Sequence, residues 1–383
     1  MTTDSVVDRQ TPVRILQICD RSHDFAKEFN LLEEVALAFP APEYAFTYCL
    51  LSGAVDAAAA NRMRCAVHSF HIPKNKIRGS NLRLLFALLH YIRRENFDVI
   101  ITHRFKPWLL IALISPWLPN CRFISFLRAF KQFDRRRRQW LARLLLNRRW
   151  RMVGVSKAVQ QDLVEHGIPH RYTAVILNAI NVEGILSRQL TSADARAQLG
   201  LETQDLIVGA IGRAQRIKGH TYLIEAFARL AGNFPNAKLV IIGGGELEAA
   251  LRKQADATGF GNRILLTGAI NDGFRLLSAF DLFVLPSLME GFGLSIAEAI
   301  ASRVPVIGTR VGGVPEAVGP DGLLVESQNA EQLAQAMERV LSWPESQRAA
   351  YADRLYHRLT SEYTLEQYHQ NYRRLVAELL ATA

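Results

Sequence analysis

Cysteine is scarce: the 383-residue chain has four, Cys19, Cys49, Cys65 and Cys121, none in a C-x-x-C pair or beside a histidine at metal-ligand spacing. That excludes a disulfide framework and a zinc site of familiar spacing, and a reducing cytoplasm is the expected compartment. Long hydrophobic runs are missing too. The longest, "WLLIALISPWL" at 108 to 118, contains Pro116 and falls well short of the roughly 18 to 20 apolar residues that cross a bilayer. The N-terminal "MTTDSVVDRQTPVR" lacks the basic-then-apolar order of a secretory signal, so none is expected. There is no D-x-D triplet to carry a divalent ion, and no repeat array, low-complexity tract or Pro-rich linker.

What remains is an ordinary globular composition, 49% hydrophobic and 21% charged, in a chain long enough for two domains with cores of their own. The net charge of +10 is unevenly placed. Residues 1 to 180 hold 27 Lys and Arg against 14 Asp and Glu, and the rest hold 19 against 22. A half this basic is suited to a polyanion: nucleic acid, an anionic membrane or a phosphorylated acceptor.

Short apolar runs alternate with segments of helical periodicity. "RILQICD", "FTYCLLS", "FDVIITH", "RFISFL" and "RMVGVS" read as strands, separated by helical segments such as "NLRLLFALLHYIRRE", "PWLLIALIS" and "KAVQQDLVEHG". The pattern pauses around "AVILNAINVEGIL" and "TSADARAQLGL" and resumes with "LIVGAIGR", "AKLVIIGGG", "RILLTG", "DLFVLPS" and "PVIGT". Such alternation predicts parallel sheets covered by helices, and the pause predicts two doubly wound halves with a hinge near residue 180 and a ligand cleft at the carboxyl ends of the strands.

The second half carries the chemistry. In "LPSLMEGFGLSIAEAIA" a strand gives way to a helix, with Gly291 to Ser295 at the junction and Glu290 and Glu298 eight positions apart. Free amides at a helix start attract an anion, and glycines let it approach the backbone. "AIGRAQRIKG" places Gly212, Arg213 and Lys218 after another strand, where two cations can clamp a diphosphate. Read separately, the two glutamates could be a loop charge and a solvated helix residue, the cations surface groups, and the glycines at 243 to 245 a tight turn.

In order, "GRAQRIKG", "VIIGGGELEAAL", "LLTGAI", "DLFVLPSLMEGFGLSIAEAIA", "PVIGTRVGGVPEAV" and "GLLVE" resemble the retaining glycosyltransferases of family 4, also called group 1; in the first half only "DVIITHRFK", "GVSKAVQQDLVEHGIP" and "VILNAINVE" do so. The resemblance implies the α/β GT-B fold: two Rossmann-like domains with doubly wound parallel sheets facing a central cleft. It implies an acceptor-binding domain over 1–180, with a C-terminal helix at 364–383 packing back on it, and a nucleotide-sugar donor domain over 181–363. Glu290 would stand near the transferred sugar and Glu298 on the ribose hydroxyls. Arg213 and Lys218 would hold the diphosphate. Gly212, Ile270, Phe292, Gly293 and Leu294 would complete the donor site. No cofactor and no metal are implied, and transfer would retain configuration by same-face attack. The sequence departs from the family pattern in three places: "CDRSHDFAKEF", with Ser22, has no glycine; the hinge reads Asn178-Ala179; and Leu127 and Arg128 replace a usual histidine, leaving His103 as the nearest polar group in the acceptor half.

"RAFKQFDRRRRQWLARLLLNRRWR", 128 to 151, reads as one long basic helix setting Phe133, Trp140, Leu141, Leu144 and Leu145 among arginines that include Arg135, Arg136, Arg137 and Arg138. An interfacial helix on an anionic membrane has this make-up, and so does a solvated helix packed on its own sheet. No recognition motif accompanies the arginines, so nucleic acid is not expected. The combined expectation is a retaining, metal-independent hexosyltransferase. It would use a nucleotide-sugar donor and a glycan or lipid-linked acceptor at the inner face of the cytoplasmic membrane, in lipopolysaccharide core or other surface polysaccharide synthesis. A nucleotide-sugar epimerase of the same fold and a non-catalytic basic binding protein are the alternatives.

Overall fold

The structure, a computed structural model, describes residues 11–21, 26–54, 61 and 63–382. The chain forms two compact units, Met1–Leu177 with Glu366–Ala383 and Asn178–Leu365.

Unit 1 is built on strands β1 (Val13–Arg21), β2 (Tyr44–Ser52), β3 (Ala66–Ser69), β4 (Val99–His103), β5 (Arg122–Leu127), β6 (Trp150–Gly154) and β7 (Thr173–Val175), in the order β3-β2-β1-β4-β5-β6-β7. All neighbours run parallel. Its central strands are apolar at nearly every position because both faces are covered: all five residues of β4 are buried. The covering helices are α1 (Ala26–Leu37), α2 (Leu82–Glu95), α3 (Phe105–Ile114), α4 (Arg136–Leu145) and α5 (Lys157–Glu165). Local chemistry sets several ends. Asn81 caps α2 through Leu84 N–H, left-handed Asn96 stops that helix, and Ser156 Oγ accepts from Val159 N–H at the start of α5.

Unit 2 contains β8 (Leu206–Ile211), β9 (Ala237–Ile242), β10 (Ile264–Gly268), β11 (Leu282–Leu285), β12 (Val306–Thr309) and β13 (Leu323–Val325), in the order β10-β9-β8-β11-β12-β13, again parallel. Its helices are α6 (Val182–Leu186), α7 (Ser192–Leu199), α8 (His220–Leu230), α9 (Glu248–Ala257), α10 (Leu294–Ala301), α11 (Val314–Val318), α12 (Ala330–Leu341) and α13 (Glu345–Glu362). The strand order reverses between β8 and β11, and such a reversal opens a crevice at the carboxyl ends of the two strands. The last helix, α14 (Leu365–Ala381), returns to unit 1. There His369 Nε2 lies 3.0 Å from Glu34 Oε2, Arg373 donates to the Ala38 carbonyl, and Arg122 of β5 donates to the Leu379 carbonyl.

The long basic helix expected over 128–151 is corrected to ten residues, with Arg135 as its N-cap. Phe133 does not ride on a helix face. Its ring is fully buried, 5.0 Å from Trp108 and 5.5 Å from Phe105, and it draws the preceding segment inward as an irregular loop. At the other end Leu146 is extended, and Arg149 donates to the carbonyls of Ser115, Leu118 and Cys121 while covering the Phe123 ring. Phe133 and Arg149 therefore belong to the fold. Emptying a buried aromatic site costs about 3 to 5 kcal/mol, so Phe133→Ala is expected to lower unfolding free energy by that amount in urea titration. A variant as stable as wild type would return the ring to the surface.

Candidate functional site

The loops that follow β8, β9 and β11 interlock. Gly212 N–H donates to Ile242 O, Ala214 N–H to Gly244 O, Leu247 N–H to Ala214 O and Leu288 N–H to Ile217 O, all within 2.8 to 3.0 Å. Such approach needs bare backbone at two positions. A Cβ on Gly219, with φ +67, would stand 1.9 Å from the Pro286 carbonyl oxygen, and one on Gly243 would stand 2.0 Å from that of Gly212. Glycine is required there.

This interlocking brings together residues 72 positions apart: Lys218 Nζ lies 2.5 Å from Glu290 Oε2, with both side chains more than four-fifths buried. Ser287 Oγ donates to the same oxygen at 3.3 Å, Thr309 Oγ1 donates to the Ser287 carbonyl at 2.6 Å, and Gly313 N–H holds the Glu290 carbonyl at 3.1 Å. The carboxylate is thus held by Lys218 and Ser287, and the backbone that carries it by Thr309 and Gly313. Gly293, φ +97, is the N-cap of α10, which has no side-chain cap; Leu294 is its first residue and the buried Glu298 lies one turn inside. Phe292 is buried on Tyr363, ring centres 5.4 Å apart. Arg213 is exposed in the loop after β8, beside half-buried Gly212, and half-buried Ile270 follows β10.

The other expected residues lie in unit 1. His103 ends β4 and is 4% exposed, its ring stacked on Phe126, and among the described residues neither nitrogen has a partner. Burial, then Arg128 and Arg104, hold its pKa well below the usual 6.5, so the ring is neutral. Arg136, Arg137, Arg138 and Trp140 are on α4, with Arg135 capping it. Arg138 is occupied, donating to Gln132 O and covering the Phe105 ring, whereas Trp140 and Leu144 are 60% and 64% exposed. Ser22 lies outside the described residues. Sequence reasoning missed Ser287, Thr309 and His220. The first two lay inside quoted motifs, "DLFVLPSLMEGFGLSIAEAIA" and "PVIGTRVGGVPEAV", but as ordinary hydroxyl residues near strand ends with no role assigned, and only the glycine before His220 hinted that it opens a helix against the loops.

Profile comparison matches residues 191–354 to the family described as "Glycosyl transferases group 1" and residues 31–183 to "Glycosyltransferase Family 4". A D-inositol 3-phosphate glycosyltransferase of Corynebacterium jeikeium is 31% identical over 67% of this chain and 67% of its own length. The chain belongs to the group 1, family 4 glycosyltransferases. The Corynebacterium urealyticum protein of the same name is 34% identical over 42% of this chain, and the match spans 40% of that relative's length. An Escherichia coli UDP-Gal:alpha-D-GlcNAc-diphosphoundecaprenol alpha-1,3-galactosyltransferase is 27% identical over 72% of this chain and 75% of its own. Among solved structures, a glycosyltransferase of Rickettsia africae superposes with a TM-score of 0.82 at 19% identity, covering 97% of this chain and all of that one. Likenesses of this kind show the GT-B fold.

His220 gives the glycosyltransferase unit a pH signature. Burial, then Lys218, lowers its pKa to about 4. A histidine depressed in the folded state contributes stability that is complete above the unfolded pKa, near 6.5, and is lost as pH falls toward 4. The stake is roughly 3 kcal/mol. Urea unfolding free energy is expected to decline across that window, and His220→Gln to remove part of the slope. An unchanged slope in the variant would mean that His220 is not buried neutral.

Proposed function

We propose that the chain moves a glycosyl group from a nucleoside-diphosphate sugar to a membrane-associated glycan acceptor, retaining anomeric configuration and needing no metal ion or cofactor. The observation that carries this is the Lys218–Glu290 pair fixed by interlocking backbone at the strand-order reversal. In this reading Glu298 accepts from the ribose hydroxyls, Ile270 lies along the nucleoside, and backbone N–H groups of Phe292, Gly293 and Leu294 meet sugar and phosphate at the start of α10. Arg213 and Lys218 neutralise the diphosphate as its bond to the anomeric carbon breaks, stabilisation aimed at the charge that develops. The acceptor hydroxyl forms its new bond on the same face and gives its proton to the departing phosphate oxygen. Glu290, tied to Lys218 and Ser287, orients the sugar rather than attacking it, and His103 serves the acceptor half as a neutral ring.

The acceptor is placed in lipopolysaccharide core or other cell-surface polysaccharide synthesis at the inner face of the cytoplasmic membrane. Support comes from the Escherichia coli relative, whose name gives a diphosphoundecaprenol-linked acceptor, and from α4, which exposes Trp140 and Leu144 beside Arg135, Arg136 and Arg137. Among the described residues no helix is long and apolar enough to cross a membrane.

Turnover tests the chemistry. Arg213→Ala and Lys218→Ala are each expected to lower transfer about a hundredfold; exposed Arg213→Ala unfolds near the wild-type temperature, whereas Lys218→Ala unfolds lower because it leaves the buried Glu290 carboxylate without its cation, and wild-type transfer is expected to survive EDTA. Wild-type turnover in both variants would remove the diphosphate role, loss in EDTA reversed by magnesium would remove metal independence, and product formed without an acceptor would favour the epimerase.

Cosedimentation tests the surface. Each cation near an anionic membrane contributes on the order of 1 kcal/mol, weakened by salt. Replacing Arg135, Arg136 and Arg137 by Ser is therefore expected to release the protein from anionic vesicles. Arg138 is left in place because it packs on Phe105. Wild-type protein that stays in the supernatant at low salt would refute the membrane role.

A further inference from the structure

Three groups of unit 2 meet at one atom. Glu290 Oε2 accepts from Lys218 Nζ at 2.5 Å and from Ser287 Oγ at 3.3 Å. The two contacts are unequal. The first is a tight charge-assisted bond, whereas the second is longer than the roughly 2.5 to 3.0 Å usual for a hydroxyl donor, so Lys218 has the oxygen and Ser287 stands second to it. Ser287 is nonetheless built in. It is fully buried two residues past β11, its carbonyl accepts from Thr309 Oγ1 of β12 at 2.6 Å, and the next residue, Leu288, donates its N–H to Ile217 O at 2.8 Å. The hydroxyl is therefore kept from water and carried by backbone that two neighbouring segments hold.

Lys218 faces two claims. As the cation that neutralises a diphosphate it turns toward a group more negative than a carboxylate. As the partner of Glu290 it balances a largely buried anion. An ammonium is a compact point charge and cannot satisfy both in full. Whatever it concedes to the diphosphate leaves the carboxylate short of a donor and beside a second anion, a costly state where water is scarce. Glu290 must then follow Lys218, swing outward, or be held by another donor. Ser287 is in place for the last of these. Among the described residues Lys218 and Ser287 are the side chains that donate to this carboxylate, and Gly313 N–H holds only the Glu290 carbonyl.

We propose that Ser287 is a positioning residue that takes over Glu290 when the diphosphate of a donor draws Lys218 away. The carboxylate then stays where the transferred sugar needs it, held by a neutral hydroxyl, and the cation is released without its partner being expelled. The same exchange makes Glu290 a competitor of the diphosphate for Lys218, so a sugar-free nucleoside diphosphate is bound less tightly than the cations alone would allow. The inference rests on the transferase reading and deepens it with an exchange of partners at that site.

Isothermal titration of the full chain with UDP, GDP, ADP and dTDP is the test, the tightest-bound diphosphate being carried through the variants. Ser287→Ala is expected to weaken it at least about tenfold, the strength of a hydrogen bond to a charged group, because Lys218 can then leave only by stranding Glu290. In Glu290→Ala, which has no carboxylate to hold, affinity is expected to rise, and adding Ser287→Ala to that variant is expected to change it by less than about twofold. A serine that merely packs would cost the same on both backgrounds, so the coupling separates positioning from structure. Should a variant unfold, Ser287→Cys, a weak donor of similar size, and Glu290→Met, which fills the space without an acceptor oxygen, take their places. Equal affinity of wild type and Ser287→Ala, the same loss on both backgrounds, or weaker binding by Glu290→Ala than by wild type overturns the exchange and leaves the transferase reading standing. Wild type that binds none of the four diphosphates sinks that reading, and the exchange with it.

Discussion

The close approach of backbone to backbone at the β8–β11 crevice is the constraint on which unit 2 depends. With no Cβ at 219 or 243, the loops after β8, β9 and β11 exchange hydrogen bonds directly. That exchange, rather than attraction between two long side chains, sets where Lys218 and Glu290 meet. A surface pair must hold both side chains in place at an entropic cost that offsets most of its gain. Here the loops are already fixed, the stems are largely buried, and Ser287 and Thr309 extend the network into β11 and β12. The pair is consequently preorganised, which is what a site stabilising charge in a transition state needs.

Much of this was legible in the sequence because parallel sheets write their strands as apolar runs bounded by glycine and polar residues. "FDVIITH", "RFISFL", "LIVGAIGR" and "AKLVIIGGG" each contain a strand of the structure, the second from end to end. Short edge strands were not legible: β3 and β7 are four and three residues long, only partly buried, and carry too few apolar positions to show a period. Glu290 and Lys218 could be placed on loops at strand ends, but their contact depends on which loops interlock, and one chain's periodicity carries no such information. The basic segment misled for a related reason. Helical spacing put Phe133 among the arginines, whereas its burial against Trp108 is a tertiary effect that overrides local pattern.

The charge of unit 1 divides by environment. Arg149 is spent on three carbonyls and a phenylalanine ring, Arg122 on the end of α14, and Arg138 on Gln132 and Phe105. These guanidiniums are structural hydrogen-bond donors whose planar shape suits carbonyl clusters and aromatic faces. A count of basic residues therefore overstates what a partner would meet.

What it would meet is concentrated at α4 and at the carboxyl ends of β4 and β5. The two places differ in kind. On α4 the exposed arginines stand beside exposed Trp140 and Leu144, a mixture matched to a surface that is apolar beneath and anionic at its face. At the strand ends the cations stand on backbone of positive φ beside a buried imidazole that has no hydrogen-bond partner among the described residues, and at a helix start. A membrane tolerates lateral disorder in the cations that attract it, so α4 needs no fixed backbone to present them, whereas the positive-φ backbone under Arg104 and Lys131 is set by hydrogen bonds of their own amides to Phe126 and Asp162 and belongs to the fold.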